Sequence, residues 1–210
     1  MNQPPCVRIL LVDDHPMTRE GLCAVLSRIP ENCIVAEGNN GLEAIDLYRL
    51  HQPDVVLMDL SMPQMDGLHA TQAIVQEFPE AQIVIFSASD GDETIYRAMR
   101  AGARAYLLKD TSAAVLLETI AQVAAGQTYL PPDLAAKLAG RLHLRDLTLR
   151  EQEVLEQIVA GRTNSEIGAS LFISEGTVKS HVNRILDKLQ AHDRTQAAMT
   201  AIRRGLVQVG

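Results

Sequence analysis

The 210 residues are 47% hydrophobic and 21% charged, enough apolar content for real cores, and no run approaches the 18 uncharged apolar residues of a membrane helix. Three cysteines, Cys6, Cys23 and Cys33, lack metal-ligand spacing and argue by their odd number against a disulfide framework. The net charge of −7 is unevenly shared: residues 1–130 hold 8 Lys/Arg and 17 Asp/Glu, a balance of −9, whereas residues 131–210 hold 11 and 9, a balance of +2. An acidic front half repels a polyanion, so only the back half suits nucleic acid. Met1–Cys6 offers no charged segment followed by an apolar run, so no secretion signal is read there and the expected location is the cytoplasm.

In chain order, the front half alternates short apolar runs with amphipathic segments. The runs Val7–Val12, Cys33–Ala36, Val55–Met58, Ile83–Phe86 and Ala105–Leu108 are rich in Val, Ile and Leu and lack polar alternation. That composition predicts strands buried on both faces of a parallel sheet. Helices are predicted near 17–28, 41–50, 67–77, 92–101 and 112–124; in the second, Leu42, Ile45 and Leu47 oppose Glu43, Asp46 and Arg49. Five strand–helix alternations predict a doubly wound α/β domain over residues 1–125.

Gly126 ends the last of these helices, and Pro131-Pro132 cannot continue one. Residues 126–146 read as a linker, with room for a short helix at Asp133–Leu142. From Leu147 onward, residues 147–210 read as purely helical. Thr148…Glu151 and Thr163…Glu166 fit the capping box, and Ser174 and Asp193 are good N-caps. The predicted helices are 149–160, 164–171, 175–189 and 194–205.

Four of the five strands end in a chemically capable residue: Asp13-Asp14, Asp59, Ser87 and Lys109. In a doubly wound sheet, ligands bind outside the carboxyl ends of the strands, so these residues should converge. Three crowded carboxylates resist full ionisation unless a divalent cation joins them, and hard oxygen ligands favour Mg²⁺. A single acid at a strand end is usually a turn or cap residue, the reading preferred for Asp54 and for Asp66, which precedes Gly67. Asp59 differs, because an acid ending a buried strand beside two others is unfavourable without a cation.

This constellation, with "DVVLMDLSMPQMDG", "IVIFSAS" and "GARAYLLK", resembles the receiver domain of two-component response regulators over residues 7–125. The resemblance implies a flavodoxin-like five-stranded sheet of order 2-1-3-4-5. It makes Asp59 the phosphorylated residue, with Mg²⁺ held by Asp13, Asp14, Asp59 and the backbone carbonyl of Ser61. Lys109 and Ser87 would contact the phosphoryl group, and Tyr106 would be the switch aromatic. Many receivers carry Pro after the lysine; here Asp110 follows Lys109, where a cis bond would cost about 3–4 kcal/mol.

"LTLREQEVLEQIVAGRTNSEIGASLFISEGTVKSHVNRILDKL" resembles the DNA-binding domain of LuxR/NarL/FixJ regulators. Independently of that, two short helices joined near Phe172–Ser174 form a helix-turn-helix pattern. Gly168 stands where Ala is common, at about 1 kcal/mol in helix propensity. On 175–189, Val178, Val182, Ile185 and Leu189 form an apolar stripe, leaving Ser180, Asn183 and Arg184 opposite, with Lys179 and His181 at the margins. Lys179, Ser180 and Asn183 are expected at base edges; Arg184, Thr177, His181, Asn164 and Thr163 at phosphates. Asp187 shares that face and should turn the C-terminal half out of the groove. The remaining histidines, 15, 51, 69, 143 and 192, form no ligand-spaced cluster.

Together these readings imply a transcription factor, not an enzyme beyond its own phosphorylation and dephosphorylation. A histidine kinase would phosphorylate Asp59, remodel residues 92–124, and favour a homodimer on promoter DNA. A haloacid-dehalogenase-type phosphatase needs a second Asp two residues after the nucleophile, which "DDHPM" lacks. A flavodoxin-like cofactor binder needs a phosphate-cradling loop where Asp13-Asp14 would repel phosphate.

Overall fold

The computed structural model describes residues 6–142 and 146–207. The chain divides into two compact units, one built on residues up to 89 with 95–135, the other on 90–94 with residues from 136 onward. No helix among the described residues is long and apolar enough to cross a membrane.

Up to residue 124 the chain runs β1 (Val7–Val12), α1 (Pro16–Leu26), β2 (Asn32–Gly38), α2 (Gly41–His51), β3 (Val55–Met58), α3 (Gly67–Glu77), β4 (Ile83–Ser87), α4 (Asp92–Ala101), β5 (Ala105–Leu108) and α5 (Ala113–Ala124). The sheet is parallel throughout, in the expected order β2-β1-β3-β4-β5. Alternate residues of the inner strands face opposite sides, and both sides are buried. Ile9, Leu11, Leu57 and Val84 pack with Leu22 and Leu26 of α1 and with Leu116, Ile120 and Val123 of α5. Leu10, Val56 and Ile85, one residue out of phase, are fully buried as well. That double burial is why these strands read as unbroken apolar runs.

β2 departs from the reading. It is three residues longer than Cys33–Ala36 and is half exposed along most of its length, because it pairs only with β1 at the sheet edge. An edge strand accepts Asn32 and Glu37, whose polarity hid its ends. Local chemistry explains the helix starts: Asn40, Asp66 and Ser112 each accept a hydrogen bond from the backbone N–H three residues on. Asp66, expected in a turn or cap, is the N-cap of α3. After α5 the backbone is still tied to the sheet, since Tyr129 N–H donates to the Arg104 carbonyl and Tyr129 bridges Ala105. The possible linker helix is present as α6 (Pro132–Leu142).

The second unit contains α7 (Leu149–Val159), α8 (Asn164–Leu171), α9 (Glu175–Leu189) and α10 (Arg194–Arg204). Both expected capping boxes form, Thr148 with Glu151 and Thr163 with Glu166, and Ser174 and Asp193 cap α9 and α10. The core joins Val154, Leu155 and Ile158 to Ile167, to Val178, Ile185 and Leu189, and to Ala197 and Ala201, with Val182 at its margin. Beneath it, Glu151 is 2% exposed and its carboxylate bonds Lys188 Nζ of α9 at 2.6 Å and Thr148 N–H at 2.8 Å. Burial alone would raise the Glu151 pKa, yet Lys188 and Thr148 hold it below the ordinary carboxyl value.

The turn between α8 and α9 is tight. Phe172 takes the left-handed conformation, φ 57°, and Ile173 N–H donates to the Gly168 carbonyl at 3.0 Å. A Cβ on Gly168 would sit 2.8 Å from the Ile173 carbonyl oxygen. A Cβ at position 168 would therefore make the returning backbone shift by a few tenths of an ångström, which offsets the low helix propensity of glycine there.

Candidate functional site

The sheet hydrogen-bond ladder continues past the named strands and sets the positions of the acids. Asp13 N–H donates to the Gly38 carbonyl, Asp59 N–H to the Val12 carbonyl and Lys109 N–H to the Ser87 carbonyl, at 2.8–3.1 Å. Asp13, Asp59 and Lys109 are thus brought together at the carboxyl edge of the sheet. Lys109 Nζ bridges Asp13 Oδ2 at 2.7 Å and Asp59 Oδ2 at 2.9 Å. Gly67 makes room for this edge, since a Cβ there would lie 1.8 Å from the Asp59 carbonyl oxygen.

The charges are unevenly solvated. Asp13 and Asp59 side chains are 3% exposed, against 23% for Lys109. Burial pushes the Asp59 carboxyl up, aided by the charge of Asp13 and opposed by Lys109 and the Ser61 N–H. Burial would lower the Lys109 pKa, but hydrogen bonds to two carboxylates carry it above the usual lysine value. Both partners rise because one ammonium is shared between two buried acids: it gains two carboxylates, while Asp59 gains only part of one cation against its burial and the Asp13 charge. The other Asp59 oxygen accepts the Leu60 N–H at 2.7 Å.

Asp14 Oδ1 is buried and has no hydrogen-bond partner; His15 Nδ1 lies 2.7 Å away and forms an ion pair with it when the imidazole is protonated. Single ligand atoms of Asp13, Asp14, His15 and Asp59 all lie within 4.8 Å of one another. An orphaned carboxylate oxygen among hard donors is what a cation would satisfy, so the acidic cluster can hold a metal ion. His15 corrects the expectation that the histidines outside the recognition helix join no ligand cluster: adjacency to Asp13-Asp14 was its only signal. Arg19 was also missed. Its Nη1 donates to the Asp13 carbonyl at 2.6 Å and its Nε pairs with Glu37 at 3.2 Å, anchoring the loop behind the acids.

Ser87, at the end of β4, is 1% exposed, and its Oγ accepts the Ser89 N–H at 3.2 Å. Tyr106 is fully buried and its hydroxyl donates to the Ser89 carbonyl at 2.7 Å. Both residues thus meet at Ser89. The Lys109–Asp110 peptide is trans, as are all described peptides.

In the second unit, α9 presents Thr177, Lys179, Ser180, Asn183 and Arg184 to solvent. Lys179 pairs with Glu175 at 2.9 Å, Ser180 Oγ donates back to the Gly176 carbonyl at 3.2 Å, and Thr177 Oγ1 lies 2.8 Å from Ser174 Oγ. His181 is half-buried with Nδ1 turned inward and without a hydrogen bond. Thr163 and Asn164 open α8, the latter accepting from Arg194 of α10 at 2.9 Å. The anionic Glu175 on this face was not weighed from sequence.

A model of the response regulator receiver domain matches residues 9–121, more than half the chain, and a model of the luxR family of bacterial regulatory proteins matches residues 145–201. The chain is a LuxR-type response regulator. Its relatives include the transcriptional regulatory protein LiaR of Bacillus subtilis, 41% identical over 96% of this chain and 99% of that one. DegU of Brevibacillus brevis is 35% identical over 97% and 96%. The crystal structure of ChrA, a response regulator of a heme-sensing two-component system, aligns with TM-score 0.59 at 33% identity, covering 97% and 100%. The regulator therefore combines a receiver fold with a helix-turn-helix unit, and its family regulates transcription.

Proposed function

We propose that the regulator is switched by phosphorylation of Asp59 and that the switch controls binding of α9 to promoter DNA. The observation that carries this reading is the Lys109 bridge to Asp13 and Asp59 at the carboxyl edge of the sheet. A carboxylate oxygen of Asp59 attacks the phosphorus of a phosphohistidine on a histidine kinase; the O–P bond forms as the N–P bond breaks, and the imidazole leaves with the electron pair. Lys109 then transfers its hydrogen bond from the carboxylate to a phosphoryl oxygen. Asp13, Asp14, Asp59 and the Ser61 carbonyl would hold Mg²⁺, which when bound supplies positive charge against the phosphoryl oxygens.

The new group adds about 1.5–2 negative charges at neutral pH. The Ser87 hydroxyl donates to it, giving up its place at Ser89, where the Tyr106 hydroxyl also bonds. This links the acceptor to the face of residues 92–124 and favours a homodimer. A dimer reads two half-sites spaced by about 10 base pairs or a multiple. In that reading residues 1–125 are the receiver, 126–146 the linker and 147–210 the DNA-binding domain, all acting in the cytoplasm. Lys179, Ser180 and Asn183 read bases, while Arg184, Thr177, His181, Asn164 and Thr163 contact phosphates.

The test has two arms. An acyl phosphate donor with Mg²⁺ should label the wild type and leave Asp59→Asn unlabelled; equal labelling removes Asp59 as the acceptor. Selection of duplexes from a random pool should enrich a palindrome far more strongly with the phosphorylated form. Equal enrichment by both forms would leave DNA binding intact and remove the switch.

A further inference from the structure

Arg194 opens α10, yet its guanidinium reaches back to the start of α8. Nη1 donates to Asn164 Oδ1 at 2.9 Å, and Nη2 donates to the backbone carbonyl of Arg162. A guanidinium carries only donors, so it determines which end of the Asn164 carboxamide faces it. The oxygen is taken, and the two Nδ2–H donors are left on the other side of the amide. A surface asparagine can usually present either end; this one presents donors. Arg194 is itself half-buried and satisfied by two neutral oxygens, and burial, with no acid to offset it, lowers its pKa from the ordinary arginine value. A desolvated cation without a carboxylate partner among the described residues favours an anion arriving nearby.

We propose that Arg194 is a positioning residue of the DNA interface, locking the Asn164 carboxamide so that its N–H groups grip one phosphate of the duplex backbone. This rests on the DNA-binding reading above and names how one of its phosphate contacts is built. The duplex is the phosphate source under that reading, in which α9 is seated in the groove and α8, sharing a core with it through Ile167, Val178 and Ile185, crosses beside it.

The experiment is a double-mutant cycle on the full chain with a selected duplex, read by fluorescence anisotropy over a salt series. Arg194→Met and Asn164→Ala are each expected to weaken binding about tenfold, the effect of one hydrogen bond to a charged group. The double variant should be weaker than Asn164→Ala by less than about twofold, because the two residues act through one contact. Arg194→Met should change the slope of log affinity against log salt by well under one unit, since the arginine is not itself the phosphate ligand. Arg194→Lys keeps the charge but cannot span both acceptors, and should remain severalfold weak; it replaces Arg194→Met in the cycle if the latter fails to fold. Additive losses, a slope change of about one, or no loss in Arg194→Lys would each overturn the proposal. Competition by inorganic phosphate at constant ionic strength, abolished by Asn164→Ala, would reassign the contact to a free anion. If the wild type selects no duplex, the DNA-binding reading fails first.

Discussion

Replacing Lys109 by Met preserves side-chain length but removes the ammonium that Asp13 and Asp59 share at 2.7 and 2.9 Å. Stripping one partner from a buried ion pair destabilises by about 3–5 kcal/mol. Lys109 is 23% exposed, so water screens part of the interaction and the expected loss is about 2–3 kcal/mol. The pH dependence supplies the stricter test. Burial already raises the Asp59 pKa against the pull of Lys109; without that pull it rises further. A carboxyl with a raised folded pKa holds its proton more tightly folded than unfolded. Its penalty is therefore absent below the ordinary carboxyl range and complete once pH exceeds the folded value. Lys109→Met should approach the wild type near about pH 3 and fall behind by about 5–10 °C in Tm near neutrality. Scanning calorimetry of the full chain in a chelator, across that range, reads the difference. Added Mg²⁺ should stabilise the variant more than the wild type, because the cation replaces lost charge. Equal melting near neutral pH in chelator, or a deficit that does not change with pH, would refute the reasoning.

Other perturbations test other parts of the molecule. Gly67→Ala places a Cβ 1.8 Å from the Asp59 carbonyl oxygen, so the backbone must move; a loss of about 1–3 kcal/mol in a thermal melt is expected, with slower labelling by acyl phosphate. An unchanged melt and labelling rate would show that α3 is not tightly seated there. Glu151→Gln leaves Lys188 without its buried carboxylate and should destabilise the helical unit by about 1–2 kcal/mol. Because the Glu151 pKa is lowered in the fold, its contribution is present above the ordinary glutamate value and is lost as pH falls through the lowered one. The variant's deficit should accordingly vanish in acid denaturation profiles at their low-pH end. Lys179→Ala should weaken specific DNA binding by about 1–3 kcal/mol and relax preference at one base position, with folding stability unchanged within about 0.5 kcal/mol. Glu175→Gln, which frees Lys179 and removes an anion, should strengthen binding; weaker binding would mean that the ion pair positions Lys179 for the groove.

Much of the architecture is written locally. Unbroken Val/Ile/Leu runs report strands covered on both faces, and the pairs Thr148–Glu151 and Thr163–Glu166 announce helix starts because each cap closes within one turn of chain. The apolar stripe of α9 followed from helical periodicity alone. The ends of β2 did not, because an edge strand tolerates polar residues that an inner strand would exclude. The end of α8 was marked by no glycine: Phe172 takes the left-handed position, a conformation imposed by the tight turn.

The sequence by itself determined which acids and which lysine lie at strand ends, and which residues of α9 face away from the core. Only the tertiary structure decided that Lys109 spans Asp13 and Asp59, that Asp14 keeps a buried oxygen unsatisfied beside His15, and that Arg194 takes the oxygen of Asn164. Periodicity reports which side of an element is buried because burial repeats along a few residues. Pairings between atoms 46, 50 or 96 positions apart, such as Arg8–Asp54, Asp59–Lys109 and Asp13–Lys109, depend on the register of parallel strands and on how deeply each group is desolvated, and neither is encoded in local spacing.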